Sequence, residues 1–244
     1  MKKLGIKVLV FGILFFGMAY ASYAMEKGRP YYEKKGHVLW DINTKEKVIA
    51  LTFDDGPHNT YTPQILELLE KHDAKATFFV IGERAERYPD IISQINDEGH
   101  ELANHTYTHT LKIKPTNLEE ELRKTNQAIH KITGIYPLFY RPVEGRYDEQ
   151  IINTAVENGY KVIMWSWHLD TEDWRMPGVQ KIVSKVLTGV GPGDVVLFHD
   201  AGGDRTQTVK ALEEILPNLK KQGYKFVTIS ELIEVHTMSL SDDK

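Results

Sequence analysis

The sequence predicts an α/β protein whose parallel strands close into a barrel. Short apolar runs alternate with amphipathic helical patterns through most of the 244 residues, and this alternation is typical of a parallel sheet with helices on its outside. The number of strand and helix units suits a closed barrel better than an open sheet. The side chains that could do chemistry follow the predicted strands, at the end where barrel enzymes place their active sites.

The strands are predicted from mainly apolar runs in which β-branched, aromatic and aliphatic residues are frequent. The first run, 48–53, carries no charge and is therefore expected to be buried on both faces. Gly56 and Pro57 follow it and end the strand. The other strands are predicted at 76–81, 100–103, 136–140, 161–165, 194–198 and 225–227.

Helices are predicted between these strands from start and stop signals. Thr62 and Pro63 open the first helix, which carries isoleucine and leucine along one face. Asn117 with Glu120 resembles a capping box at the start of a helix that stops at Gly134. The remaining helices are predicted at 89–98, 148–158, 177–187 and 206–221.

The amino-terminal residues 1–24 are predicted to be a secretory signal peptide. They begin with lysines, continue with an uncharged apolar stretch and end with small residues at a cleavage site. An uncleaved membrane anchor is the alternative, because the apolar stretch approaches the length of the shortest spanning helices. The protein is therefore expected to be secreted or held in the cell envelope. Residues 25–36 are expected to be a linker or arm, 37–236 the domain that carries the site, and 237–244 a polar tail.

Charge and cysteine content exclude several classes of function. The chain has 30 basic and 34 acidic residues. Removal of residues 1–24, which contain three lysines and no acid, would leave 27 basic against 34 acidic residues and a formal charge of −7. This balance argues against nucleic acid as a partner, whereas a neutral sugar chain carries no such penalty. Because cysteine is absent, disulfides, thiolate metal ligands and a lipid-modified cysteine anchor are excluded.

Two adjacent carboxylates follow the first buried strand. Asp54 and Asp55 stand between the run 48–53 and the Gly56-Pro57 turn. At the carboxyl end of a barrel strand, such side chains can act as acids, bases or metal ligands. The structural alternatives are that Asp55 caps the turn and that Asp54 only makes hydrogen bonds at the strand end.

Two histidines could complete a metal site with these carboxylates. His105 and His109 are four residues apart, a spacing that predicts two imidazoles on one face of a helical turn. Two imidazoles and one carboxylate, with a fourth position left to water, form the ligand set of a catalytic zinc site. Histidine pairs at this spacing are more often surface or core residues, and the neighbouring acidic pair strengthens the metal interpretation.

Five ordered motifs resemble those of the polysaccharide deacetylases, carbohydrate esterase family 4. They read Thr-Phe-Asp-Asp-Gly-Pro, His-Thr-Tyr-Thr-His, Arg-Pro-Val-Glu-Gly, Asp-Thr-Glu-Asp-Trp and Leu-Phe-His. The resemblance covers about Val48 to Leu232, which is nearly all of the chain after the predicted signal peptide. It implies a distorted (β/α) barrel with seven or eight strands.

The first two motifs imply a metal centre and a general base. By resemblance, Asp55, His105 and His109 are the metal ligands, and they suit Zn²⁺, with Co²⁺, Ni²⁺ or Mn²⁺ as alternatives. Asp54 is implied as the base that takes a proton from the attacking water.

The later motifs imply the groups that assist. Arg141 is expected to hold Asp54 through a bidentate contact. His199 is expected to be the general acid that protonates the departing amine, with Asp173 as the carboxylate that raises its pKa. Asp170 is the alternative partner of His199.

The substrate-binding residues come from the same resemblance. Trp174 and Leu197 are expected to form the groove wall and the acetyl pocket, and Glu144 and Gly145 belong to the third motif. There the chain departs from the family, which usually has proline and an aromatic residue where this chain has Val143 and Glu144. The backbone N–H before the glycine could still serve an oxyanion, since it does not depend on the side chain. The departure therefore bears on loop geometry and on the range of substrates.

The predicted function is metal-dependent removal of N-acetyl groups from an N-acetylglucosamine-containing polysaccharide. Peptidoglycan is favoured over chitin because of the export signal. An esterase that removes O-acetyl groups from xylan and a sugar-binding barrel without turnover are the alternatives. The expected partner is the N-acetylated polysaccharide, no nucleic acid or protein partner is predicted, and the chain is expected to be a monomer.

Overall fold

The computed structural model describes residues 28–111 and 113–242, and these fall into two units that meet in sequence between Val38 and Leu39. The predicted signal peptide at 1–24 lies outside the described residues. In the first unit, the segment expected to be a linker contains helix α1 (Arg29–Lys35). An ion pair of 2.7 Å between Arg29 and Glu33 joins successive turns of this helix. The two-residue strand β1 (Val38–Leu39) follows.

Seven parallel strands form the wall of the second unit. Their order is β6-β5-β4-β3-β2-β7, and β8 pairs with the first residues of β2. The strands are β2 (Val48–Asp54), β3 (Ala76–Val80), β4 (Glu101–Asn104), β5 (Phe139–Tyr140), β6 (Lys161–Ile163), β7 (Val195–His199) and β8 (Lys225–Phe226).

The wall closes between β6 and β7 through single contacts. Ser166, just after β6, donates its N–H to the carbonyl of Val195 at 3.0 Å. Further along, Asp170 forms an isolated parallel bridge with Leu197. Because these contacts replace continuous strand pairing, the barrel is distorted, as predicted.

Helices cover the outside of the wall. They are α2 (Tyr61–Lys71), α3 (Gly82–Arg87), α4 (Pro89–Asp97), α5 (Pro115–Thr133), α6 (Glu149–Glu157), α7 (Val179–Gly189), α8 (Thr206–Lys221) and α9 (Ile229–Asp242). Helix α9 continues beyond residue 236, where the polar tail was expected to begin. In the part of the chain that the structure describes, every helix is too short or too polar to cross a membrane.

Two predicted helix starts are wrong. Helix α2 begins at Tyr61, so Thr62 lies inside the helix and does not cap it. The hydroxyl of Thr62 instead donates to Asp200 Oδ2 at 2.5 Å. Helix α5 begins at Pro115, and the N–H of Asn117 is already bonded to the carbonyl of Lys114 at 2.8 Å. In both cases the polar side chain that resembled a cap lies within the first turn.

Strand β2 is buried on both faces, as its lack of charge predicted. Successive side chains point to opposite faces of a strand, so Ile49 and Phe53 pack in the core beneath the helices, while Val48 and Ala50 pack in a separate core inside the barrel. The same alternation turns Asp54 towards the barrel interior. The last residue of the strand therefore carries a carboxylate into the barrel mouth.

Candidate active site

A buried ion pair between Asp54 and Arg141 occupies the barrel interior. Arg141 follows β5, and its Nη1 lies 2.6 Å from Asp54 Oδ1 and 2.9 Å from the hydroxyl of Thr52. Its Nε and Nη2 donate to the carbonyls of Ile163 and Met164 at 3.1 and 2.7 Å. The expected bidentate contact is therefore wrong. Only one guanidinium nitrogen binds Asp54, since carbonyl groups at the end of β6 take the others.

Aromatic rings enclose the guanidinium of Arg141. Its central carbon lies 4.0 Å from the ring centre of Phe79 and 5.7 Å from that of Trp165. Burial lowers the pKa of Arg141, and the negative charge of Asp54 opposes that shift. Arginine stays charged under these conditions, so the pair presents Asp54 in one fixed orientation.

Asp55, His105 and His109 converge at the mouth of the barrel. One ligand atom from each side chain lies within 4.8 Å of the other two. The Nε2 atoms of His105 and His109 are 3.5 and 3.0 Å from the same oxygen of Asp55, Oδ1. Side chains at these separations can share a single cation.

The two histidines lie in a loop after β4, so the predicted helical turn is wrong. Asn104 Oδ1 accepts the N–H of Thr106 at 2.9 Å, and Thr106 Oγ1 accepts the N–H of His109 at 3.2 Å. These local bonds replace the helical ones. Thr106 and His109 adopt left-handed backbone angles, with φ of 70° and 56°, and the loop thereby brings the two imidazoles together.

The donor set fits a zinc-like cation. His105 Nδ1 lies 2.8 Å from the carbonyl of Arg141. Because a carbonyl only accepts, Nδ1 is the nitrogen that donates to it, and Nε2 faces Asp55. Without a cation, Nε2 donates a hydrogen bond to Asp55, and, against the effect of burial, the neighbouring carboxylates raise the pKa of His105. A bound cation would take the place of the proton on Nε2. Burial raises the pKa of Asp55, but hydrogen bonds to His105 and His109 outweigh it and hold that pKa well below its usual value. An ionised carboxylate and a neutral imidazole nitrogen are the forms that bind such an ion.

His199 ends β7 and is held by Asp173. Its Nδ1 lies 2.7 Å from Asp173 Oδ1, while Asp173 Oδ2 accepts the N–H of His199 at 2.9 Å and the hydroxyl of Thr208 at 2.7 Å. Asp170, the alternative partner, instead accepts the N–H of Glu172 at 3.0 Å. Burial disfavours the charged form of His199, but Asp173, together with the charges of Asp54 and Asp55, outweighs this effect and raises the pKa of His199 to about 9.

A cleft of about 490 Å³ opens over these groups. Nine of the eleven predicted site residues line it: Asp54, Asp55, His105, His109, Glu144, Gly145, Trp174, Leu197 and His199. Arg141 and Asp173 lie behind Asp54 and His199, where they can orient those side chains. Trp165, Arg146, Gly202 and Arg205 also line the cleft and were not predicted as site residues. Asp170, the alternative partner of His199, lines it as well. Each of the four residues not predicted lies close to a motif or a strand end, and that proximity was the available signal.

The third motif forms one wall of the cleft. Its residues make a short 3₁₀ turn, Val143–Gly145, in which Glu144 has a φ of 54° and pairs with Arg146 Nε at 2.7 Å. Gly145 has a φ of 63°, and a Cβ there would lie 2.6 Å from the ring of Trp165. The N–H groups of Gly145 and Arg146 donate within the turn. The N–H of Glu144 has no acceptor among the residues that the structure describes.

The loop after β7 closes the cleft beside Asp55. Asp200 is fully buried and packs against Gly56, and a Cβ on Gly56 would collide with its carboxylate. A Cβ on Gly202 would lie 2.5 Å from Asp55 Oδ2. The first motif and the loop after the fifth motif therefore pack directly on each other, at two glycines that leave room for carboxylates.

Comparison with known proteins identifies the family. The sequence profile of the polysaccharide deacetylases matches residues 41–163. A peptidoglycan-N-acetylglucosamine deacetylase of Bacillus cereus is 47% identical over 203 residues, which cover 82% of this chain and 95% of that protein.

Solved structures with this fold include the Bc1960 peptidoglycan N-acetylglucosamine deacetylase, with a TM-score of 0.78 and 36% identity over 82% of this chain and 94% of that one. A CE4 family pseudoenzyme from Bacillus anthracis, BA3943, has a TM-score of 0.73 and 31% identity over 80% of this chain and 68% of that one. These similarities confirm the predicted fold class. The chain belongs to the polysaccharide deacetylases of carbohydrate esterase family 4, which are hydrolases, as the motifs predicted.

Proposed function

We propose that this protein removes N-acetyl groups from the N-acetylglucosamine units of peptidoglycan, with the help of a divalent cation. The observation that carries the proposal is the convergence of Asp55, His105 and His109 in a cleft that also contains Asp54 and His199. The name of the Bacillus cereus relative supports peptidoglycan as the polysaccharide.

The ligand set favours Zn²⁺ as the cation, with Co²⁺, Ni²⁺ and Mn²⁺ as alternatives. When bound, such an ion would supply Lewis acidity and lower the pKa of a water molecule towards about 7. The protein has to orient that water and take its proton. Asp54 is the base for this step, because its carboxylate lies in the cleft and Arg141 binds it from behind and fixes its orientation.

His199 is proposed as the acid that protonates the departing amine. Without such a proton, the leaving group would be an amide anion. Asp173 binds Nδ1 of His199, so the remaining ring nitrogen, Nε2, is the one available to donate towards the cleft. The N–H of Glu144 is proposed to bind the acetyl oxygen, because it has no acceptor within the described residues and lies in the cleft wall.

Trp174, Leu197 and Gly145 are proposed to shape the substrate groove, which they line. The protein is also proposed to act outside the cytoplasmic membrane, either after cleavage of residues 1–24 or while anchored by them. This proposal rests on the sequence pattern alone.

Acetate release from a panel of polymers tests the proposed function. The purified protein would be loaded with Zn²⁺ and supplied with peptidoglycan, N-acetylglucosamine oligomers and acetylated xylan. Release from peptidoglycan supports the proposal, whereas release only from xylan supports O-acetyl esterase activity. If the protein binds metal and glycan but releases acetate from none of them, it is a sugar-binding barrel and the proposal is wrong.

A further inference from the structure

A second pocket opens beside the cleft and shares Asp55, His109 and Gly202 with it. Its volume is about 410 Å³, and its distinguishing residues are Arg84 and Arg87. A polysaccharide whose reacting unit lies at Asp55 and His109 extends beyond that unit. The second pocket is therefore within reach of a neighbouring unit of the same chain.

The pocket is built rigidly onto the loops that carry the proposed metal ligands. Both arginines belong to α3, and the N–H groups of Ile81, Gly82 and Glu83 at its start donate to the carbonyls of Gly56, Thr106 and Tyr107 at 3.0, 3.0 and 3.1 Å. Gly82 permits this close approach, since a Cβ there would collide with the ring of Tyr107 and lie 2.8 Å from Thr125 Oγ1. The positions of the arginines are thus tied to both loops.

Arg84 and Arg87 are three residues apart on one helix, so their side chains lie on the same face. Neither side chain forms an ion pair or hydrogen bond with any residue in the described ranges 28–111 and 113–242. The other described arginines do have polar partners: Arg29 with Glu33, Arg123 with Glu120, Arg141 with Asp54, Arg146 with Glu144, Arg175 with Glu172, and Arg205 with the carbonyl of Ala201. Two neighbouring guanidinium groups that have no hydrogen-bond or ion-pair partner among the described residues indicate a site for an anion.

The charge of Arg84 also acts on its surroundings. It contributes to lowering the pKa of His58, after the larger effect of burial. Glu83 is the acidic side chain that shares the pocket with both arginines, besides Asp55, which the two histidines engage. With the charge of Asp55 balanced by the proposed cation, the pocket has two guanidinium groups against one remaining carboxylate, that of Glu83, and is therefore positively charged.

We propose that Arg84 and Arg87 form a subsite for a carboxylate on the sugar unit next to the reacting N-acetylglucosamine. The inference rests on the proposed function and narrows its substrate class to acidic glycan chains. Guanidinium groups bind carboxylates through paired, charge-assisted hydrogen bonds. In peptidoglycan, alternate units carry a lactyl ether whose carboxyl group is free or joined to an acidic peptide, whereas chitin has no carboxylate.

Four oligosaccharides of equal length test the subsite with the metal-loaded protein. They are an N-acetylglucosamine tetramer, an alternating tetramer with free lactyl carboxylates, the same tetramer with those carboxylates amidated, and one with peptide stems. The measured quantity is the ratio of kcat/KM on each derivative to that on the neutral tetramer. If the arginines bind the lactyl carboxylate, the ratio should be high for the tetramer with free lactyl carboxylates. If they bind a carboxylate of the peptide, the ratio should be high only for the tetramer with peptide stems.

Substitution of the two arginines should remove this preference. In Arg84→Gln/Arg87→Gln, the ratio on the preferred acidic substrate should fall about tenfold, mainly through KM, and Glu83→Gln should raise it. The preference should also weaken with added salt. Arg123→Gln, a surface arginine on α5, is the matched control and should leave the ratio unchanged.

An equal loss on neutral and acidic substrates in the double variant, or no loss on either, would overturn the proposal. Calorimetric binding of the same oligosaccharides separates this outcome from failure of the proposed function. If the wild-type protein releases no acetate from any glycan, the proposed function is wrong. The subsite then stands only if the acidic tetramer binds more tightly than the neutral one and the double variant abolishes the difference.

Discussion

Asp54 and His199 are register partners at the carboxyl ends of the neighbouring parallel strands β2 and β7. Partners in a parallel pair point to the same face of the sheet, so both side chains enter the mouth of the barrel. The backbone N–H of Asp200 donates to the carbonyl of Asp54 at 3.2 Å just beyond this pair. The proposed base and the proposed acid are therefore fixed relative to each other by the sheet.

Asp54→Asn should remove acetate release while the metal site persists. The amide cannot take a proton from water, so kcat should fall by roughly 10²- to 10⁴-fold, the usual contribution of a general base. Asp54 is not one of the three converging ligands, so the zinc content measured by mass spectrometry should stay close to one ion per chain. Substantial activity in this variant would show that another group is the base.

His105→Ala should lose both the metal and the activity. Its imidazole supplies one of the three ligand atoms that converge at the barrel mouth, and two remaining ligands bind a divalent cation poorly. Metal content and acetate release should fall together. His72→Ala is the matched control, because His72 is the C-cap of α2 and lies outside the cleft. A loss of metal in both variants would count against a specific site.

Asp173→Asn should lower the pKa of His199, since Asp173 is the main group that raises it, with added contributions from Asp54 and Asp55, to about 9 against the opposing effect of burial. An NMR titration of the metal-free protein measures this pKa directly. Asp170→Asn is the matched control and should leave it unchanged, because Asp170 does not contact the imidazole. A drop in the Asp170 variant alone would reverse the assignment of the partner.

The same pair predicts how stability depends on pH. The raised pKa of His199 stabilises the fold fully below its ordinary value of 6.5, and this stabilisation is lost as the pH rises through about 9. The pKa of Asp173 is lowered by His199 despite burial, so its contribution is present above 3.8 and is lost at lower pH. The difference in free energy of unfolding between wild type and Asp173→Asn should therefore be largest between pH 3.8 and 6.5. Urea unfolding at several pH values measures it.

Gly145→Ala should disturb the cleft wall more than a comparable change elsewhere. The φ of 63° is strained for alanine, and the new Cβ would also press against Trp165. The two effects together should cost about 3 kcal/mol of unfolding free energy and should lower kcat.

Gly134→Ala is the matched control, since Gly134 has a φ of 76° and open space around it. It should cost only about 1 kcal/mol and leave kcat unchanged. Equal effects of the two substitutions would exclude a role for the contact with Trp165.

Local patterns in the sequence predicted many of the strands and helices and most of the residues that line the cleft. The uncharged run 48–53 predicted a doubly buried strand, and helix α8 has the predicted bounds Thr206–Lys221. The residue types in the first two motifs and their resemblance to the family predicted that Asp55, His105 and His109 would meet, and their ligand atoms do lie within 4.8 Å of one another. Hydrophobic periodicity indicates which face of a strand or helix is buried, and a motif is a run of residue types. Both patterns can be recognised without knowing which residues lie close together in the folded chain.

The spatial neighbours themselves came from the folded chain. The loop conformation that brings His109 beside Asp55 and the single contact of Arg141 with Asp54, in place of a bidentate one, each join residues whose relative positions depend on strand register and loop geometry. The pocket around Arg84 and Arg87 is of the same kind, because it exists only where α3 is hydrogen-bonded to two distant loops. Contacts between residues far apart in the chain are set by packing of the whole barrel, and no local pattern encodes them.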